Sequence, residues 1–262
     1  MPTAKPKLAT RMIHLPASHG LERGRGLAPV IERSTTFVLD DAASDAMVSG
    51  RGRGALDIYG RYGTETTREA AALVAELEGA ESGVLFSSGM GAISAAFCAF
   101  ATPGSSVAVS TDVYGGTEAV CVNDVKARGV EVVRFDATQP STLRDLIAGG
   151  VRPSLVWCES ISNPLIKVAD LEALAGICKD AGARLAVDAT FSAGIANRPL
   201  ELGADLVIHS ATKYLGGHSD VIAGAAAGSG EDISRLYDVM VRQGSCIDPF
   251  GAWLVARGMR TL

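Results

Sequence analysis

The sequence holds no CxxC pair, no histidines at metal-ligand spacing, no block of Lys or Arg, and few aromatic residues. Its five cysteines, Cys98, Cys121, Cys158, Cys178 and Cys246, are scattered and mostly sit in apolar stretches. They read as small buried hydrophobes kept reduced, not as a disulfide framework. His14, His19, His209 and His218 do not group as ligands, so no metal site is expected. A net charge of −5 without a basic stretch argues against nucleic acid or an anionic membrane as the main partner. The richest apolar run, "AISAAFCAFA", is too short to span a bilayer, and "MPTAKPKLATRMIHLP" lacks the apolar core of a signal peptide. A cytoplasmic location is therefore expected.

What is present is an ordinary globular balance, 47% hydrophobic and 20% charged over 262 residues, enough to bury a large α/β core. Residues 1–58, with the Gly- and Arg-rich "SGRGRGALD", read as an irregular arm and loop, and residues 59–262 as the main domain. From Thr67 a helix is expected, since Ala70, Leu73, Val74 and Leu77 share a face and Gly79 supplies a stop. Beyond it, the runs "GVLF", "SVAVS", "VEVVRF", "SLVWCE", "RLAVD", "DLVIHS" and "VIAGAAAG" alternate with amphipathic segments such as "LEALAGICKDAG". That alternation predicts a mostly parallel sheet covered by helices on both faces. Ligands in such sheets bind outside the carboxyl ends of the strands.

The conspicuous polar residues all fall there. "SSGMG" follows "GVLF", "TDVYGGT" follows "SVAVS", and "SISNP" follows "SLVWCE". Asp188 closes "RLAVD", and Ser210, Thr212 and Lys213 follow "DLVIH". Small residues opening a helix at "SSGMGAIS" leave backbone N–H groups and the positive helix end for an anion, though a plain tight turn reads the same way. Asp188 reads either as a turn cap or as a buried anion facing a protonated ring nitrogen. Tyr114 is a half-buried aromatic or a ring stacked on a flat ligand. Asn163 before Pro164 reads equally as a turn starter.

Gly89 and Gly91 with Asp112 downstream mimic a dinucleotide fingerprint, but Ser94 stands at the third glycine position and Lys213 is left without a purpose. An anion cradle, a flat aromatic, a strand-end carboxylate and a lysine taken together describe pyridoxal 5'-phosphate and its Schiff-base lysine.

The motifs "SSGMGAI", "DVYGGT", "ESISNPL", "VDAT" and "HSATKYLGGHSD", with "YGRYGTETT" upstream and "DPFGAWLVARGMRTL" at the end, resemble the Cys/Met-metabolism (trans-sulfuration) family of pyridoxal-phosphate enzymes. The resemblance implies the large domain of the fold-type-I, aspartate-aminotransferase-like architecture. It implies that Lys213 binds the cofactor's aldehyde carbon and moves the substrate proton, that Asp188 pairs with the ring nitrogen, and that Tyr114 stacks on the ring. Gly89, Met90, Ser210 and Thr212 would hold the phosphate, with Thr190 beside Asp188 and Asn163 near the phenolic oxygen. Gly216 and Gly217 would let the backbone pass close to the cofactor, and desolvation would keep the Lys213 amine neutral. Tyr59 and Arg61 would reach the phosphate of a neighbouring subunit, which implies a homo-oligomer, a dimer of dimers.

The family's reactions are β-elimination, γ-elimination and γ-replacement on small sulfur-containing amino acids. Gly116 stands where methionine γ-lyases carry a cysteine, and Ile58 where γ-acting members often carry an acid. The first argues against methionine γ-elimination, and the second, with "YGRYGT", favours a carbon–sulfur β-lyase acting on a cystathionine-like substrate. "YGGT" and "NPL" look more like the γ-synthase and γ-lyase branch, O-acylhomoserine sulfhydrylase is a further alternative, and a remnant or interaction subunit without turnover is a third reading. Family members continue past "ARGMRTL" into a smaller domain bearing the arginine for the substrate carboxylate. That domain is expected to be absent, with the chain ending inside a helix, so cofactor binding is expected with poor turnover.

Overall fold

Each strand of the central sheet sends alternate side chains to opposite faces, and both faces are apolar. In β4 (Pro153–Glu159), Leu155 and Trp157 join one buried cluster while Val156 and Cys158 join another. The same alternation holds in β5 (Arg184–Asp188), with Ala186 on the first face and Leu185 and Val187 on the second. The remaining strands are β1 (Ser82–Phe86), β2 (Ser106–Ser110), β3 (Glu131–Phe135), β6 (Leu206–His209) and β7 (Gly224–Gly228). The computed structural model describes residues 7–14, 28–49 and 54–262, and among these the sheet runs β1-β7-β6-β5-β4-β2-β3. All pairings are parallel except those of β7, which lies antiparallel between β1 and β6.

Helices cover both faces. On one lie α4 (Gly89–Phe100) and α8 (Gly230–Gln243), packed around Phe97, Trp157 and Leu236. On the other lie α3 (Glu65–Glu78) and α9 (Pro249–Met259) at the β1 end, and α6 (Ser141–Ala148) and α7 (Leu171–Ala181) toward β4 and β5. The short α5 (Gly115–Val120) follows β2. Helix α3 starts two residues before Thr67 because Thr64 caps it, with a reciprocal bond between the Thr64 and Thr67 side chains and backbones. Gly79 and Gly182 end α3 and α7 at φ +69°, a left-handed turn that glycine takes without steric cost.

The structure corrects two expectations about the ends of the chain. The first 58 residues are not wholly irregular: they contain α1 (Leu8–His14) and α2 (Asp41–Val48). Helix α1 forms because Met12 docks against Ala70 and Leu73 of α3 while Arg11 pairs with Glu76, a tertiary contact that local pattern does not reveal. Helix α2 is held by Asp40, whose carboxylate accepts from Ala43 N at 2.7 Å. The Arg-rich stretch at residues 50–53, and His19, lie outside the described residues. Last, α9 stops at Met259, where Arg260 N bonds back to Arg257 O, so the chain's final residues do not sit within it.

The glycines of "KYLGGHS" have a packing role that differs from the expected one. A Cβ on Gly258 of α9 would lie 2.1 Å from Gly216 O, and a Cβ on Gly216 would lie 2.8 Å from Ala211 O. The pair lets α9 pass against this loop, away from the cavity described next. Gly217, at φ +69°, completes the turn. No helix among the described residues is long and apolar enough to cross a membrane.

Candidate active site

Five strand ends deliver their residues to one cavity of about 250 Å³. From β1 the chain enters α4 through Ser88, whose hydroxyl accepts from Gly91 N at 3.0 Å, so the free N–H groups of the first turn point outward. Gly89 is required there. A Cβ would lie 2.9 Å from the Ser210 Cβ, so only a bare backbone lets the α4 N-terminus approach the end of β6. Gly224 plays the same part from β7, since its Cβ would fall 2.1 Å from Ser88 O.

At the end of β5, Asp188 is buried and spends Oδ1 on the following turn, accepting from Thr190 N at 2.9 Å and Thr190 Oγ1 at 2.6 Å. Thr190 Oγ1 in turn accepts from Ser210 N at 2.8 Å, tying β5 to the loop after β6. Asp188 thus caps the turn through Oδ1, while Oδ2 makes no hydrogen bond among the described residues. Burial pushes its carboxyl above the ordinary range, opposed by the two Thr190 bonds and by His209. His209 itself lies on the opposite face of β6, where Nε2 meets Glu78 Oε1 at 2.8 Å with both side chains fully buried.

Nine of the eleven residues expected at the site line this cavity: Gly89, Met90, Tyr114, Asn163, Asp188, Thr190, Ser210, Thr212 and Lys213. Tyr114 is 48% exposed and caps the start of α5. The Ser210 hydroxyl has no partner among the described residues, whereas Thr212 Oγ1 is engaged with Ala223, donating to its carbonyl at 3.1 Å and accepting from its N–H at 3.0 Å. Among the described residues Lys213 is exposed, which departs from the expected desolvation.

Tyr59 and Arg61 are not brought to the cavity. Arg61 stacks between the Tyr59 and Tyr62 rings, donates Nη1 to Val241 O at 2.9 Å, and lines a separate cavity of about 360 Å³ against β1. That second cavity has arginines but no strand-end carboxylate or lysine. Asp112, the acidic member of the dinucleotide reading, accepts from Lys167 Nζ at 2.8 Å and does not line the Lys213 cavity.

Glu159 is a charged cavity residue that sequence reasoning passed over. It ends β4, is buried, and lines the cavity. Oε1 accepts from Tyr114 N at 2.5 Å and Oε2 from Asn163 N at 3.0 Å. Burial first, then the charge of Asp188, push its carboxyl from 4.5 up to about 7. A carboxylate whose pKa rises on folding makes the fold less stable as pH climbs from about 4.5 to about 7. The signal that could have found it is its position, one residue before "SISNP" at a strand end facing Asp188.

The donor set fits pyridoxal phosphate. Among the described residues a helix N-terminus and the unpartnered Ser210 hydroxyl suit a phosphate, buried Asp188 suits a cationic ring nitrogen, and Lys213 is the only lysine lining the cavity. Among the described residues no group of three His, Cys, Asp or Glu side chains could hold a metal ion. Burial pushes the Cys121 thiol up to about 11 and the Cys178 thiol up to about 12, which leaves both unreactive.

The fold and cavity define a cofactor-binding α/β enzyme domain of the fold-type-I, pyridoxal-phosphate class. A family model described as Cys/Met metabolism PLP-dependent enzyme matches residues 9–262, and the chain belongs to that family. It is 40% identical over 207 residues to a cystathionine gamma-lyase of Bacillus subtilis, covering 78% of this chain and 53% of that protein. It is 36% identical over 259 residues to a cystathionine beta-lyase of the same organism, covering 97% and 62%. The crystal structure of cystathionine gamma synthase from Xanthomonas oryzae, in complex with aminoacrylate and cysteine, superposes with a TM-score of 0.87 at 34% identity, covering 98% of this chain and 64% of that one. The chain thus spans between about half and two thirds of the length of these relatives.

Proposed function

We propose that residues 59–262 form the cofactor-binding domain of a cytoplasmic carbon–sulfur lyase that performs β-elimination on a cystathionine-like amino acid. The observation that carries this reading is the convergence of five strand ends on one cavity, with Lys213 and buried Asp188 on the same wall-forming set. When bound, pyridoxal phosphate supplies an electron sink for the electron pair left when the substrate loses its Cα proton. Asp188 would hold the ring nitrogen in its charged form. Lys213 would hold the aldehyde carbon, and its free amine would move the substrate's Cα proton. Ser210 and the first turn of α4 would hold the phosphate, and Tyr114 would cover the ring.

Ile58 and "YGRYGT" support β-elimination, and Gly116 argues against methionine γ-elimination. A Cβ at Gly116 would lie 2.5 Å from Met90 Sδ and 2.5 Å from the Tyr114 ring, so a cysteine there would need both side chains to shift. Incubated with pyridoxal phosphate, the protein is expected to turn yellow and to bleach with borohydride. Given cystathionine, it is expected to release pyruvate. Release of 2-oxobutyrate instead would move the assignment to γ-elimination, and a colourless protein would remove the cofactor reading.

The exposed position of Tyr59, and the placing of both Tyr59 and Arg61 away from their own chain's cavity, support a homo-oligomer in which each chain completes its neighbour's phosphate site. Mixing an Arg61→Ala protomer with a Lys213→Ala protomer under subunit exchange is expected to restore part of the activity missing from each, because one shared site per pair is then intact. Mixed protein as inactive as its parents would show that sites are not shared.

A further inference from the structure

Glu159 holds none of the cofactor's ring, phosphate or aldehyde, yet its two oxygens go to two different loops. Oε1 takes the backbone N–H of Tyr114, after β2, and Oε2 takes that of Asn163, after β4. Strands β4 and β5 place Glu159 and Asp188 as register partners, and Trp157 and Ala186 two residues earlier point to the α4 face. Both carboxylates therefore sit on that face, side by side, and both line the cavity.

We propose that Glu159 is a positioning residue: a single carboxylate that clamps the Tyr114 loop to the Asn163 loop and so sets the gap between the ring and the amide that would flank the cofactor. The inference deepens the cofactor reading and rests on it only for what the two loops are positioned around. Only an ionised carboxylate can accept two N–H groups on separate oxygens. Glutamine offers one acceptor oxygen and turns an NH₂ donor toward the second N–H.

Protonation has a similar effect, because the oxygen that becomes O–H is a poor acceptor. The groups bearing on this ionisation are Asp188 from β5 and Asp112 from the loop after β2, the latter paired with Lys167. Lys213 lines the same cavity from the loop after β6, and His209 bears on Asp188 from the far face of β6. Burial and Asp188 bring the Glu159 carboxyl up to about 7, so the clamp is complete above that pH and loosens below it.

The test is amide hydrogen exchange on the full chain, read as protection factors at Tyr114 and Asn163. In Glu159→Gln, protection of at least one of the two amides is expected to fall roughly ten- to hundred-fold at about pH 8, the loss associated with a hydrogen bond to a charged group. Core amides of β4 and β5 should keep theirs. In the wild-type chain the same amides should lose protection between about pH 8 and about pH 6, while the Gln variant shows no such fall. Equal protection in both proteins with no pH response would overturn the clamp. If the variant does not fold, the wild-type pH series decides alone, and its flatness would overturn the clamp. The cofactor reading is scored separately by the visible band on adding pyridoxal phosphate: a band with unresponsive amides sinks only the clamp, and responsive amides without a band sink only the cofactor.

Discussion

Replacing Lys213 with alanine is expected to abolish both the borohydride-sensitive visible absorbance of the cofactor-loaded protein and any turnover of a sulfur amino acid. Among the described residues Lys213 is the only lysine lining the cavity, so no second amine stands there for the cofactor's aldehyde carbon. Loss of a general acid–base group alone costs roughly 10²–10⁴-fold, and here the same side chain also anchors the cofactor, so residual activity should vanish into background. Lys213→Arg is not expected to rescue it, because a guanidinium does not give up its proton and cannot act as the nucleophile. Absorbance at the visible band before and after borohydride checks the first effect, and a keto-acid assay the second. Turnover within a few-fold of wild type would remove Lys213 from the chemistry.

Asp188→Asn should produce the next largest effect, and a divided one. The asparagine oxygen can still accept from Thr190 N and Thr190 Oγ1, so the turn after β5 and its tie to Ser210 survive. The other atom becomes an NH₂ donor where a carboxylate oxygen faced the cavity. A cationic ring nitrogen then meets a donor, not an anion. Loss of a preorganised charge of this kind costs roughly 10²–10³ in kcat.

The stability of the cofactor-free protein should move the other way. Asp188 has its pKa raised by burial, so holding it ionised at neutral pH opposes folding, and removing the charge is expected to leave the variant at least as stable as wild type. Denaturant melts of the cofactor-free proteins at neutral pH, alongside kcat of the loaded ones, check both halves. Turnover within about tenfold of wild type would show that Asp188 serves only as a turn cap.

Much of this was readable residue by residue. The strand runs ending in Phe86, Ser110, Glu159, Asp188 and His209 are apolar on both faces, and their polar successors sit where parallel sheets bind ligands. The lysine at position 213, with hydroxyl residues before it, pointed to pyridoxal phosphate. The position of β7 was not readable, because "GAAAG" carries no side chain that tells an antiparallel partner from a parallel one. Nor was the docking of Met12 on α3, which joins residues far apart in the chain.

The sequence by itself determined the strands, the family resemblance and nine residues that line the Lys213 cavity, since short-range pattern and residue type encode periodicity, turn geometry and functional groups. Only the tertiary structure decided which groups are free to act. It spends Thr212 on Ala223, turns Gly216 toward Gly258, keeps Arg61 away from its own chain's cavity, and makes Glu159 a bridge between two loops. The physical reason is that hydrogen-bond partnership and burial depend on segments brought together across the sheet, which no local stretch of sequence contains.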